Sequence, residues 1–307
     1  MDISGLYKTY LKYHLVVTDS RKAVPGSIFF ALKGERFDGN RFAADALRKG
    51  SALAVIDDPS FMKDSGFMLV DDALECLQHL AAFHRSQLKV KIIAVTGSNG
   101  KTTTKELIKA ILSGKYHTAG TEGNLNNHIG VPLTLLQLNN DHEISVIEMG
   151  ANHLKEIDKL CSIAIPDYGI ITNIGRAHIE GFGSYEGVRQ AKSELYRYLA
   201  TNRNTIFVNG DDPVLSEMVK AFPGKAVYYG NCQDTLASGR ILNYDPFLHF
   251  ELSVPGGEIL DIRTKITGRY NLDNFLAAAC VGCYFDVPPQ HIKHTFEDYQ
   301  PGNMRSQ

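Results

Sequence analysis

The sequence predicts an α/β protein: a small N-terminal α/β segment, then a mainly parallel sheet flanked by helices. Three observations carry this. Short apolar, β-branched runs recur at 91–95, 144–148, 168–173, 205–208 and 226–229, and most of the gaps between them hold a helical pattern. Strands alternating with helices need crossover connections, which set neighbouring strands parallel. The first of these runs ends in a glycine-rich turn that opens a helix. Finally, 44% hydrophobic and 21% charged residues over 307 positions suit two folded domains with a core that needs no disulfide staples.

The elements follow in order. Residues 27–32 read as a strand, 41–49 as a helix with Gly50 closing it, 52–56 as a second strand ended by Asp57-Asp58-Pro59, and 67–70 as a further apolar run. Leu74, Leu77, Leu80, Ala81, Phe83 and Leu88 recur at helical spacing over 73–88. A domain boundary is expected there, giving domains 1–88 and 89–305. From 239 to 267 short strands with turn signals such as Pro255-Gly256-Gly257 predict an antiparallel extension, and 271–285 reads as a helix packed on the sheet.

Composition narrows the function classes. Lys plus Arg is 32 and Asp plus Glu is 34, a net charge of −2. That excludes a globally basic nucleic-acid binder and an acidic disordered tail. Five cysteines without framework spacing indicate a reducing compartment. The longest nearly pure apolar run, 275–285, is too short to span a bilayer, and Met1 to Leu6 lacks the basic start of a signal peptide. The expectation is a cytoplasmic, monomeric chain with no nucleic-acid or membrane partner.

The sharpest local signal is Val95-Thr96-Gly97-Ser98-Asn99-Gly100-Lys101-Thr102-Thr103-Thr104. Glycines between a strand and a helix let backbone N–H groups converge on phosphate oxygens, and the helix N-terminus adds its dipole. Lys101 is then a point charge for terminal phosphates, and the Thr102 hydroxyl a ligand for Mg²⁺. The longer P-loop pattern places a glycine where this chain has Val95, so this is a short variant of a P-loop NTPase-like turn. Glu148 ends one predicted strand, and His178 lies five residues beyond another. In an open parallel sheet both fall on the ligand-binding edge with the loop. Taken alone, they read as a surface turn residue and a satisfied polar histidine; beside a phosphate loop, they read as Mg²⁺ ligands. Lys192, in the stretch 190–195 that reads as the start of a helix, reads from spacing as a solvated face residue. The amide-rich stretch 121–128, containing Asn126 and Asn127, is either a plain loop or a set of contacts to a polar substrate. Cys280 and Cys283 match Cys-x-x-Cys but sit in an apolar helix with no second ligand pair, so they read as packing residues.

These motifs together resemble the Mur ligase family, the ATP-dependent amide ligases of peptidoglycan precursor synthesis. The phosphate loop is similar to the family's own variant, including the missing early glycine. Four further segments carry the likeness: Thr18-Asp19-Ser20-Arg21 with Phe29 to Gly39; Asn124-Leu125-Asn126-Asn127-His128-Ile129-Gly130-Val131-Pro132; Glu148-Met149-Gly150-Ala151-Asn152-His153; and Asn173-Ile174-Gly175-Arg176-Ala177-His178-Ile179-Glu180-Gly181-Phe182-Gly183. The third discriminates best. It resembles the members that join D-alanyl-D-alanine to UDP-N-acetylmuramoyl-tripeptide through an acyl phosphate.

The resemblance implies roles. Ser20, Arg21 and Lys33 fall in the uridine-nucleotide region of the first domain. Gly97, Ser98, Asn99, Gly100, Lys101, Thr102 and Thr103 would hold ATP phosphates, and Thr102, Glu148 and His178 would hold Mg²⁺. Lys192 matches a lysine that is carbamylated in several members, which turns a cation into a carboxylate-like metal ligand. Asn271 and Asn274 match paired asparagines that read adenine, although Tyr270 stands where many members have histidine. Asn40 replaces a common histidine, and no role is carried over to it. Asn126 and Asn127 would touch substrate. The catalytic set is Lys101, Glu148, His178 and Lys192. Family members also carry a third, C-terminal domain of on the order of 100–150 residues. Arg305 matches the ATP-contacting linker arginine that leads into it, so the expectation is two domains with the third absent. The alternative is a fragment that binds ATP and the UDP precursor without ligase activity.

Overall fold

The structure is a computed structural model and describes residues 3–175 and 179–301. His178 and Arg305 therefore lie outside the described residues. The chain divides into two compact units.

The first unit comprises Met1–Lys89 with two later excursions, His128–Asn139 and Ser162–Ile165. Its strands are β1 (Val16–Val17), β2 (Ile28–Phe30), β3 (Lys33–Gly34), β4 (Phe37–Asp38), β5 (Leu53–Ile56) and β6 (Phe67–Leu69). Four of them form a parallel sheet in the order β1-β2-β5-β6, and β3 and β4 pair separately as a short antiparallel ribbon. Ile28, Phe29 and Phe30 are all buried, as expected of a strand covered on both faces. The helices are α1 (Ile3–Tyr13), α2 (Ala43–Arg48) and α3 (Ala73–Gln87). Asp72 caps α3 by accepting the Glu75 N–H at 2.8 Å. The later excursions are tied in by polar tips. The Tyr10 hydroxyl donates to the Leu136 carbonyl at 2.6 Å, His84 Nε2 lies 2.8 Å from the Leu138 carbonyl, and the Arg85 guanidinium donates to the Ala164 carbonyl at 3.0 Å. Such long-range bonds to carbonyls carry no local sequence signal. A contiguous 1–88 segment therefore describes most of this unit but not those two excursions.

The second unit holds the expected alternation. Its elements are β7 (Lys91–Thr96), α4 (Lys101–Leu112), β8 (Thr118–Gly120), β9 (Ile144–Glu148), α6 (Glu156–Ala164), β10 (Tyr168–Ile171), α7 (Ile179–Phe182), α8 (Tyr185–Thr201), β11 (Thr205–Asn209), α9 (Pro213–Lys220), β12 (Lys225–Tyr229), β13 (Thr235–Asn243), β14 (His249–Ser253), β15 (Ile259–Arg263), α10 (Leu272–Tyr284) and α11 (Pro289–Asp298). The intervening α5 (Gly130–Leu135) falls in the first unit's excursion. Nine strands run in the order β15-β14-β13-β12-β11-β10-β7-β9-β8. Pairs from β8 to β13 are parallel, and β14 and β15 add the antiparallel extension. The edge strand β8 is a three-residue element that the sequence pattern does not announce. Ile93, Val95, Leu107, Ile108, Ile111 and Leu112 share one core with Phe275 to Val281, which is why the run 275–285 is nearly pure apolar. Cys280 is buried there and Cys283 partly so. Burial pushes both thiols up, Cys283 to about 11, as inert packing residues require.

The topology places the phosphate loop. After β7 the chain goes out to β8, returns to β9 beside β7, and then crosses to β10 on β7's other flank. The order reverses around β7, so a crevice opens beyond its carboxyl end.

Candidate functional site

Residues 97–100 leave β7 at that crevice. Gly97 has φ +141° and Gly100 φ +77°, both in the region that favours glycine. Space demands glycine as well: a Cβ on Gly97 would lie 2.0 Å from Thr172 Oγ1, and one on Gly100 2.4 Å from Asn274 Oδ1. The loop is strapped to the end of β10. Ser98 N–H donates to the Asn173 carbonyl at 3.0 Å, Asn99 N–H to Asn173 Oδ1 at 3.0 Å, and the Thr172 hydroxyl to the Asn99 carbonyl at 2.6 Å. Gly175 N–H donates to Ser98 Oγ at 2.8 Å. Thr172 and Asn173 thus shape the loop from about 70 residues away in sequence, which no local pattern around the loop indicates.

Lys101 opens α4. Its ammonium folds back and donates to the carbonyls of Gly97 and Ser98, each at 2.9 Å. Burial lowers its pKa, partly offset by attraction to Glu148. Glu148 is the last residue of β9, in register with Val95, and is 2% exposed. Asn126 Nδ2 donates to its Oε1 at 2.8 Å, and its backbone N–H donates to Thr121 Oγ1 at 2.9 Å. Its Oε2 has no hydrogen-bond partner among the described residues. Ser98, Asn99, Gly100, Lys101, Thr102, Thr103, Asn126 and Glu148 line one cavity of about 600 Å³, together with Glu106, Tyr299 and Pro301. Those last three were not foreseen. The Tyr299 hydroxyl donates to Glu106 Oε2, so α4 holds the segment that follows α11 at the cavity rim.

The remaining candidates fall elsewhere in this unit. Lys192 sits inside α8, not at a helix start, and is 3% exposed. Its ammonium lies 5.6 Å from the centre of the Phe182 ring. Burial, reinforced by the charge of Lys101, lowers its pKa to about 8. The solvated-face reading of Lys192 is thereby corrected: its side chain is buried, in a helix that packs on β10 and β11. Asn271 and Asn274 are buried behind the loop. Thr104 Oγ1 donates to Asn274 Oδ1 at 3.1 Å, Asn274 Nδ2 to Asn271 Oδ1 at 2.8 Å, and Asn271 Nδ2 to the Thr267 carbonyl at 2.9 Å. Neither is among the cavity-lining residues. Asn127 is exposed.

In the first unit, Lys33 Nζ lies 2.8 Å from Asp57 Oδ1. Asn40, only 1% exposed, donates through Nδ2 to both Asp38 Oδ1 and Asp57 Oδ1 at 2.8 Å, and accepts the Asp57 N–H at 3.1 Å. Asp57 also lines a cavity of about 420 Å³ with Pro59, Leu69, Val70 and Asp71. Ser20 is buried, and its carbonyl accepts from Lys49 Nζ at 3.0 Å. Arg21 is exposed and forks onto Asp19, holding that carboxyl down at about 2. Asn40, for which no role was expected, is the centre of this network.

A glycine-strapped loop at the reversal point of a mainly parallel sheet, beside a buried carboxylate with a free oxygen, defines a phosphate-loop α/β protein. Comparison with known proteins sharpens the class. The Mur ligase middle domain profile matches residues 95–282, and that of the Mur ligase family catalytic domain matches 12–109. The chain belongs to the Mur ligase family. It is 38% identical over 295 residues to UDP-N-acetylmuramoyl-tripeptide–D-alanyl-D-alanine ligase of Bacillus subtilis (strain 168), covering 95% of this chain and 63% of that protein. The Escherichia coli (strain K12) ligase of the same name is 38% identical over 87% of this chain and 59% of its own length. Among solved structures, MurF from Acinetobacter baumannii superposes with a TM-score of 0.84 at 35% identity, over 94% of this chain and 63% of that one. The Thermotoga maritima MurF ligase in complex with ADP gives 0.82 at 27% identity, over 95% and 67%. The chain thus spans about three-fifths of the curated relatives it matches. Among the described residues no helix is long and apolar enough to cross a membrane.

Proposed function

We propose that the chain acts as an ATP-dependent ligase that joins D-alanyl-D-alanine to UDP-N-acetylmuramoyl-tripeptide, in the cytoplasm and as a monomer. The observation that carries the reading is the phosphate loop with the free Oε2 of Glu148 beside it. That buried carboxylate oxygen, which accepts no hydrogen bond among the described residues, fits a hard cation, which prefers oxygen ligands and keeps most of its shell for phosphate and water. Glu148 and the Thr102 hydroxyl would hold Mg²⁺, with His178 and a carbamylated Lys192 as further ligands. When bound, Mg²⁺ would offset phosphate charge while the γ-phosphoryl of ATP passes to the tripeptide carboxylate and ADP leaves; the dipeptide amine would then attack the acyl carbon, forming the amide and releasing inorganic phosphate.

The protein's own residues prepare that chemistry. Lys101 exchanges its two carbonyl contacts for phosphate oxygens, a charge-assisted and therefore stronger bond. Asn126 fixes Glu148 through Oε1 and leaves Oε2 without a hydrogen bond, in a residue that lines the cavity. Lys192, with a pKa of about 8, presents roughly a tenth of its amines uncharged at pH 7, the form that reacts with CO₂. Asn271 and Asn274 brace α4 through Thr104, and we propose that they carry the adenine edge only once the nucleotide is seated. Ser20, Arg21 and Lys33 serve the UDP moiety in the first unit, Asn127 serves the substrate, and Arg305 serves ATP.

Phosphate release that requires ATP, the tripeptide precursor and D-alanyl-D-alanine together is the expected result. ATP turnover indifferent to the precursor and the dipeptide would overturn the reading. Calorimetry isolates the nucleotide half: Mg²⁺-dependent ADP binding should be lost in Lys101→Ala, and unchanged binding would refute the site.

A further inference from the structure

Lys105 lies one helical turn beyond Lys101 on α4, and its side chain is only 3% exposed. Its ammonium donates to the Thr121 carbonyl at 3.0 Å. It also faces two carboxylates, Glu148 Oε2 at 3.9 Å and Glu106 Oε1 at 3.8 Å. Those two distances are too long for hydrogen bonds but short enough for direct charge attraction. Thr121 closes a ring, because its hydroxyl accepts the Glu148 N–H at 2.9 Å.

A buried carboxylate needs a counter-charge. Lys101 feels Glu148, but its ammonium is committed to the carbonyls of Gly97 and Ser98. Lys105 supplies charge to Glu148 Oε2 without bonding it, since its own short contact goes to Thr121. The oxygen is therefore balanced in charge and still open to a ligand. We propose that Lys105 is a positioning residue: a placeholder cation that holds the Glu148 carboxylate in its cavity-facing position when no metal is bound, and whose electrostatic task Mg²⁺ takes over. The inference rests on Glu148 being a Mg²⁺ ligand, as read above.

Thermal unfolding of the 307-residue chain, with ADP alone and with ADP plus millimolar Mg²⁺, tests it. Lys105→Met leaves Glu148 without its counter-ion, so the Mg²⁺-free midpoint should fall by about 5 °C or more. The Mg²⁺ increment should at least double relative to wild type, because the metal restores the missing charge. Lys105→Gln can still donate to Thr121 and removes only the charge. It should show the same enlarged increment, and it serves where Lys105→Met fails to fold. Lys105→Arg keeps the charge and should keep the wild-type increment. A lysine that merely braces Thr121 would lower the midpoint equally with and without Mg²⁺, and an unchanged increment in Lys105→Gln overturns the proposal. Absence of any Mg²⁺ increment in the wild-type chain would instead overturn the metal reading of Glu148, and this inference with it.

Discussion

The two units each contain a lysine–carboxylate pair, and the pairs are built in opposite ways. In the first unit Asp57 is saturated. Lys33 and Asn40 both reach its Oδ1 at 2.8 Å, and the Ala73 N–H reaches Oδ2 at 3.3 Å. Burial pushes the Asp57 pKa up, but these bonds outweigh it and bring the carboxyl below its ordinary value. In the second unit Glu148 is buried more deeply, its lysine stands off at 3.9 Å, and one oxygen has no partner. A closed pair anchors backbone; an open pair keeps a coordination position free at a cost in stability. The difference separates a strut from a ligand.

Glu148→Gln probes the comparison with the largest expected effect. It replaces the open oxygen's charge, and Mg²⁺ should then lose its strengthening of ADP binding by on the order of 100-fold, about 3 kcal/mol of charge-assisted coordination. Calorimetric titration with and without Mg²⁺ reads this out, and a retained Mg²⁺ effect would make Glu148 a strut like Asp57.

The next effect is one of pH. Lys192 has a folded-state pKa of about 8 against the ordinary lysine value of 10.5, so the unfolded chain holds more protons between those values. The penalty for burying its charge is fully present below pH 8 and relieved as pH rises to 10.5. Over that window the wild-type chain should gain up to about 3 kcal/mol relative to Lys192→Met. Urea midpoints across the range that run parallel for the two chains would show that Lys192 is not desolvated.

A smaller change is expected from Asp57→Ala, which removes one of the two acceptors of the Asn40 amide and the carboxylate that accepts the Ala73 N–H inside the first unit. A loss of about 2 kcal/mol in unfolding free energy is expected, with Mg²⁺-dependent ADP binding untouched. Altered nucleotide binding in that variant would deny the division of labour drawn above. The smallest effect belongs to Arg21→Ala. Its 86%-exposed side chain pairs with Asp19 in solvent, so the unfolding midpoint should not move measurably. Any role for Arg21 must then show as weaker binding of the UDP precursor.

Much of the fold was legible because it is written in short-range patterns. The five apolar runs at 91–95, 144–148, 168–173, 205–208 and 226–229 each correspond to a parallel strand, with bounds shifted by one or two residues where neighbours decide the register. Gly50 marked a helix end by its own chemistry. The loop from Gly97 to Lys101 was legible for the same reason: the chemistry sits within five residues between a strand and a helix. Lys105 was not legible, since a lysine on a helix is ordinarily solvated, and only the approach of Glu148 and the Thr121 carbonyl makes this one a buried cation. Lys192 stood out by family resemblance rather than by spacing. Asn40 was passed over because the family often has histidine there, yet its amide can donate to two carboxylates and accept a backbone N–H at once, as the network with Asp38 and Asp57 requires.

The sequence by itself determined the alternation of strands and helices, the phosphate loop and the family, because periodicity, turn chemistry and glycine conformation act over a few bonds. Tertiary structure alone decided which charges are open and which are closed. Thr172 and Asn173 strap a loop some 70 residues before them, and Lys105 meets Glu148 across 43 positions. A carboxylate's partners, its burial and its free oxygen are properties of where distant segments meet, and no local pattern encodes them.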